Sequence, residues 1–177
     1  YLNKDNHEVI LLSYLMWAAL SYKRKNEDSF DIEKMLKEKP PEPVKRVLNS
    51  LLKSYPSLYE ISQLDPDTGR VTFRDILLNK RVTIHDLIVS RAVNQYTLMS
   101  ARMVKAGDIT LIVDAGPSFN KSALPGIMQE LKKSGLPSDV SPEWLRKNGH
   151  IFGRLWPLFE RLDQWNPIPE SGYNTGK

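Results

Sequence analysis

Between Leu58 and Val113 the apolar residues tend to recur at every second position, and the alternating segments are joined mostly by short connections. Parallel strands need a crossover of a dozen or more residues between them. Short connections therefore predict strands that fold back on one another. "LYEISQL" alternates and runs into "DPDTG", a strong turn. "RVTF" from Arg70 and "RVTI" from Arg81 alternate as well. "YTLMSARMV" and "DITLIV" flank "KAGD", a glycine turn suited to a hairpin. About five short antiparallel strands predict a small curled sheet or a partly closed barrel.

The flanks have the helical period. In the segment after "PPEP", Val44, Val47, Leu48, Leu51, Leu52 and Tyr55 form one apolar stripe. Pro43 suits the first turn of this helix, and Pro56 is expected to end it. After the strands, "ALPGIMQELKK" follows Ser122, which reads as its N-cap. A last helical stretch starts with Ser141 as N-cap and Pro142 at the first position, and is expected to be interrupted by Gly149, Gly153 and Pro157. The fold class is therefore α+β: an N-terminal helical bundle, a small curled antiparallel sheet or barrel, and C-terminal helices. The expected division is residues 1–56, 57–117 and 118–166, with 167–177 as a tail or linker.

Composition narrows the functional classes. Of 177 residues, 41% are apolar and 26% charged, as in an ordinary globular chain. There is no cysteine. This removes disulfides, thiol catalysis and cysteine-based zinc sites, and fits a reducing, cytoplasmic setting. The longest apolar run, Val9 to Leu20, is too short for a membrane span, which takes about 20 residues. It is expected to form a buried helix or, alternatively, a docking surface for a partner or a second copy. The chain starts with Tyr1 rather than methionine and is expected to be a fragment or to continue beyond Tyr1 or Lys177.

One stretch invites a catalytic reading. "DAGPSFNKSA" follows the apolar "DITLIV" and precedes a helix, as a phosphate-binding loop would. That loop needs G-x-x-x-x-G-K-[ST], because its glycines let backbone amides wrap the phosphates. Lys121 and Ser122 match, but Ala115 and Asn120 occupy the glycine positions, and Pro117 has no N–H to donate. The preceding strand also reads as antiparallel rather than as part of a βαβ unit. Lys121 is expected to be a solvated charge instead. His7, His85 and His150 lie in separate segments, so no metal site is expected. His85-Asp86 reads as an acid/base pair or, more simply, as a strand-end turn like Arg74-Asp75. Asp65 and Asp67 build the "DPDTG" turn. No catalytic residue and no cofactor are expected.

Charge carries more. The net charge is +4. From Arg70 to Lys105 seven basic residues face only Asp75 and Asp86. Arg70, Arg74, Arg81, Arg91 and Arg102 are the expected basic patch, with Phe73 and Tyr96 as stacking residues. Arginine forks match carboxylates and phosphates and stack on bases. The chain is expected to be a non-enzymatic interaction or adaptor domain whose arginine-rich β-surface binds an acidic partner. Alternatives are an RNA- or DNA-binding regulator and an enzyme whose site is assembled from distant residues. "RVTFRDILLNK" and "RVTIHDLIVSR" echo one another. The echo reads as two ribbons presenting a repeated surface, or as neighbouring strands sharing a core.

The run from Val71 to Pro117 resembles uncharacterised bacterial proteins that carry a SEC-C motif. The resemblance rests on Asp75-Ile76-Leu77, Asp86, Ser90 and Ala101-Arg102-Met103-Val104. It implies a bacterial cytoplasmic protein with an adaptor-like role and no known catalysis. That family is named for a cysteine-rich zinc-binding tail. With no cysteine here, no metal ligand carries over.

Overall fold

The computed structural model describes Leu20 and residues 31–162. The apolar run Val9–Leu20 (Leu20 excepted), His7 and the 167–177 tail lie outside the described residues. Two helices come first, α1 (Asp31–Lys37) and α2 (Glu42–Lys53), followed by β1 (Tyr55–Asp65), β2 (Arg70–Asp75) and β3 (Lys80–His85). A short α3 (Leu87–Ala92) leads to β4 (Leu98–Ala106) and β5 (Ile109–Phe119). A 3-10 turn at Lys121–Ala123 then opens α4 (Leu124–Lys133), and α5 (Pro142–Lys147), a 3-10 segment (Gly149–Arg154) and α6 (Leu155–Leu162) complete the described chain. The protein is α+β.

The five strands form one antiparallel sheet in the order β3-β2-β1-β4-β5. The sheet curls until β3 and β5 come close, but these edges do not hydrogen-bond, so it is not a closed barrel. The connections follow the turn chemistry of the sequence. Asp65 accepts from the amides of Asp67 and Thr68, and Gly69 (φ 72°) closes that turn. Gly107 (φ 63°) makes the tight β4–β5 hairpin.

Pro56 is a departure from expectation. It lies in β1, not at a helix end, and Ser54 is already the extended C-cap of α2. A proline is tolerated there because residues 55–58 pair only with β4, leaving the missing N–H without a strand to serve on the other side. The second departure is larger. β5 does not stop at Val113 but runs on to Phe119, so "DAGPSF" is strand rather than a phosphate loop. Its glycine is needed for a close approach, because a Cβ at Gly116 would stand 2.0 Å from Ser100 Oγ across the ladder. Ser122 is not a helix N-cap, since the 3-10 turn starts from Asn120 and α4 from Ala123. Ser141 does cap α5, accepting from the Trp144 amide.

Both sheet faces are used. Strand alternation sends Tyr59 and Ile61 to the inner, concave side, where they meet Val71, Phe73, Ile84, Met99 and Met103. Tyr59 and Phe73 meet edge to face at 6.1 Å, and Val89 of α3 joins the same cluster. Leu58 and Leu98 point the other way, against Ile127, Leu131, Leu145, Phe152 and Leu155 of the C-terminal helices. The hairpin tip Ile76–Leu78 folds onto this outer core. Leu20, Ile32 and Leu48 form a third cluster. The α2 stripe is only half covered, with Val44 and Val47 exposed. Among the described residues no helix is long and apolar enough to cross a membrane.

Candidate interaction face

The "RVTF" and "RVTI" segments pair with one another in β2 and β3. The register sets Arg74 opposite Arg81, Thr72 opposite Thr83 and Arg70 opposite His85. Val71, Phe73 and Ile84 turn into the inner core, so the arginines, threonines and histidine share the outer face. The two threonine hydroxyls lie 3.2 Å apart. Arg70, Arg81, Thr83 and His85 are exposed. The echo in the sequence therefore reflects a shared core on one side and a repeated polar face on the other.

The echo has a second half. The aspartate at the end of β2 and the one just after β3 do the same work in both copies. Asp75 Oδ1 accepts from the amides of Leu77 and Leu78, and Asp86 Oδ1 from those of Ile88 and Val89. Asp86 is thus the N-cap of α3 and a strand-end turn residue, not half of an acid/base pair. Asp75 differs in being buried and in also accepting from the Ser57 hydroxyl at 2.7 Å. Burial raises its pKa above the ordinary carboxylate value, and the Ser57 hydrogen bond opposes that rise.

Next to the β2–β3 face, β1 contributes Glu60, paired in register with Arg74. Glu60 is buried, and its carboxylate is bound by Arg74 Nη2 at 2.9 Å and by Lys121 Nζ. Lys121 is therefore an ion-pair partner, not a free solvated charge, and it also lies 5.2 Å from the centre of the Tyr96 ring. At the other end of the face an open depression of about 320 Å³ is lined by Gln63, Leu64, Asp65, Arg70, Thr72 and Gln95. Gln95 is held there by donating to the Ser62 carbonyl, at the bulge in β1.

The structure brings together Arg70, Arg74 and Arg81 from the expected patch. Arg91 is exposed at the end of α3, outside the ladder. Tyr96 is 54% exposed, in the connection before β4. Phe73 is fully buried and offers no face to a base. Arg102 is only 2% exposed and is removed from the surface patch. Its guanidinium lies at the C-terminal end of α2, donating to the Ser54 carbonyl at 3.0 Å and the Ser54 hydroxyl at 3.1 Å. A cation there complements the helix dipole. Asp114 is its cross-strand neighbour on β5. Burial lowers the Arg102 pKa to about 10, while Asp114 opposes the drop. Burial raises the Asp114 pKa to about 6, with Arg102 opposing the rise.

Glu60, Gln63, Gln95, Thr72 and Thr83 belong to the face without having been marked in the sequence. Only the threonines carried a local signal, their position two residues after each arginine in the echo. Glu60 and Lys121 are far apart in the chain and meet only through the fold. His85 and His150 do not approach a carboxylate cluster, and among the described residues no group of His, Cys, Asp or Glu could hold a metal ion.

No curated protein and no solved structure matches the chain. A family model does match, over residues 20–140, a span that holds the whole sheet and the candidate face and stops before α5. The chain belongs to this family of unknown function, DUF7986.

Proposed function

We propose that the domain is a non-enzymatic interaction module that binds an acidic partner through the outer face of β2 and β3. The observation that carries this reading is the opposition of Arg74 and Arg81 on an exposed part of that face. Like charges directly across a ladder are destabilising. Glu60 relieves Arg74 alone, because among the described residues Arg81 has no acidic partner. An arriving carboxylate would relieve the rung. Two features favour a polypeptide over a nucleic acid. Single-stranded nucleic acids are held by successive aromatic platforms. Here Phe73 is buried, and Lys121 already lies over the Tyr96 ring. An enzyme would place its chemistry in an enclosed site, whereas the concave side of the sheet is filled by Tyr59, Phe73 and Met99.

Fluorescence anisotropy with a labelled glutamate-rich peptide and a single-stranded RNA of equal length tests the proposal. The peptide is expected to bind, to weaken several-fold between roughly 50 and 200 mM salt, and to lose binding with Arg81→Glu. RNA binding tighter than the peptide, with a steep salt slope, would transfer the face to the nucleic-acid reading. No binding of either ligand at low salt would remove both.

A further inference from the structure

We infer that the partner is an extended acidic peptide read at two points, with carboxylates four residues apart, one seated beside Arg70 and the other between Arg74 and Arg81. This rests on the acidic-partner reading and adds a geometry to it. Arg70 and Arg74 lie on one face of β2, four residues apart. At about 3.3 Å per residue that spacing is about 13 Å.

The two ends of the ladder are basic, and the middle is low. Between the arginines sit only Thr72 and Thr83, short side chains whose hydroxyls face one another. The first seat is the depression that Arg70 lines with Gln63, Thr72 and Gln95. Asp65 stands in the same depression, but its oxygens are occupied by its own turn. Oδ1 accepts from the amides of Asp67 and Thr68, and Oδ2 from the Thr68 hydroxyl. The Thr68 hydrogen bonds lower the Asp65 pKa most, and the charge of Arg70 lowers it a little further. Arg70 stands opposite Asp65 in the β1–β2 register and feels its charge, but among the described residues its guanidinium makes no hydrogen bond or ion pair, so its planar fork can turn to a bidentate carboxylate. The second seat is the rung, where Glu60 engages Arg74 and leaves Arg81 unneutralised.

Two carboxylates about 13 Å apart on one side define the ligand. In an extended chain, residues i and i+4 share a side and rise about 13 Å. In an α-helix the same two residues are only about 6 Å apart. An extended segment with acidic residues at i and i+4 therefore fits the face, whereas a helix would need its acids about two turns apart.

Peptides of one length and one net charge, rich in β-branched residues, with two glutamates at i,i+2, i,i+4 or i,i+6, test this by titration calorimetry. The i,i+4 peptide is expected to bind about tenfold more tightly than the others. Arg70→Gln and Arg81→Gln, both at exposed positions, are each expected to bring it down to their level. Equal affinity across the series would overturn the two-point reading while leaving an acidic partner in place. No binding by any of these peptides would overturn both. Displacement of the i,i+4 peptide by RNA at lower concentration than by a second acidic peptide would also overturn both.

Discussion

Arg102→Ala is expected to cost about 3–5 kcal/mol of folding stability. The guanidinium is buried, holds the last turn of α2 through Ser54, and sits beside Asp114. Truncation leaves the Ser54 carbonyl without a donor, removes the opposite charge beside the half-buried Asp114 and opens a cavity, all in one step. Removing the opposite charge as well should recover part of the loss, because a desolvated charge pair replaced by apolar groups of similar volume is often near neutral, although Asp114 is only half-buried. Urea melts of Arg102→Ala, Arg102→Met and Arg102→Met with Asp114→Leu check this. A single alanine variant melting within 1 kcal/mol of the parent would contradict the burial of this group. The same pair predicts a pH dependence. Burial raises the Asp114 pKa to about 6 in the folded protein, from an ordinary value of 3.8. The folded state therefore holds this proton more tightly than the unfolded chain. The stabilisation is complete below pH 3.8 and is lost as pH rises through about 6. Asp75 shifts in the same direction. The melting midpoint should fall across this window, and Asp114→Asn should flatten part of the fall.

Asp75→Ala is expected to cost about 3 kcal/mol, whereas Asp86→Ala should cost about 1 kcal/mol. The two aspartates occupy the same place in the sequence echo and make the same pair of hydrogen bonds to backbone amides. They differ in surroundings. Asp75 is 1% exposed and also takes the Ser57 hydroxyl, so its loss leaves one buried and two part-buried donors without their acceptor. Asp86 is only half-buried at the start of α3, and water can replace part of what it supplies. Equal costs for the two substitutions, measured by chemical denaturation, would show that the turn hydrogen bonds alone set the energetics. The β2–β3 tip should loosen with Asp75→Ala, because Ile76–Leu78 are seated on the outer core through that turn.

These two aspartates also mark the limit of what the sequence can tell. Alternation and turn residues are local, so the five strands, the hairpin at Gly107, the strand-end turn at Asp86 and the cap at Ser141 were legible, but the short helix that Asp86 caps was not. That Arg70 and Arg74 share a face follows from the period of two. Adding Arg81 to them needed the register, which depends on how long the Ile76–Asn79 connection is and how it closes. The burial of Arg102 was not legible, because it depends on where the end of α2 comes to rest over β4. Even so, its setting in Ala101-Arg102-Met103-Val104 was a hint, since every neighbour there is buried. Phe73 has the aromatic ring a base could stack on, but its parity opposes that of Arg74 and turns it into the core. "DAGPSF" resembled a loop because glycine and proline are turn residues. At the sheet edge, a close approach to Ser100 and a missing N–H are both compatible with a strand. The distance between the β3 and β5 edges, hence curled sheet rather than barrel, is a property of the whole sheet.

The most direct test of the proposed interaction face is an amide chemical-shift map of the ¹⁵N-labelled chain titrated with a glutamate-rich peptide. The account predicts that the largest shifts fall on Arg70–Arg74, Arg81–His85 and Gln95, and that they vanish with Arg81→Glu. Shifts concentrated instead on α2 around Val44 and Val47, or on the exposed Ile109 and Leu111 of β5, would contradict it and place the interaction on the apolar side of the molecule.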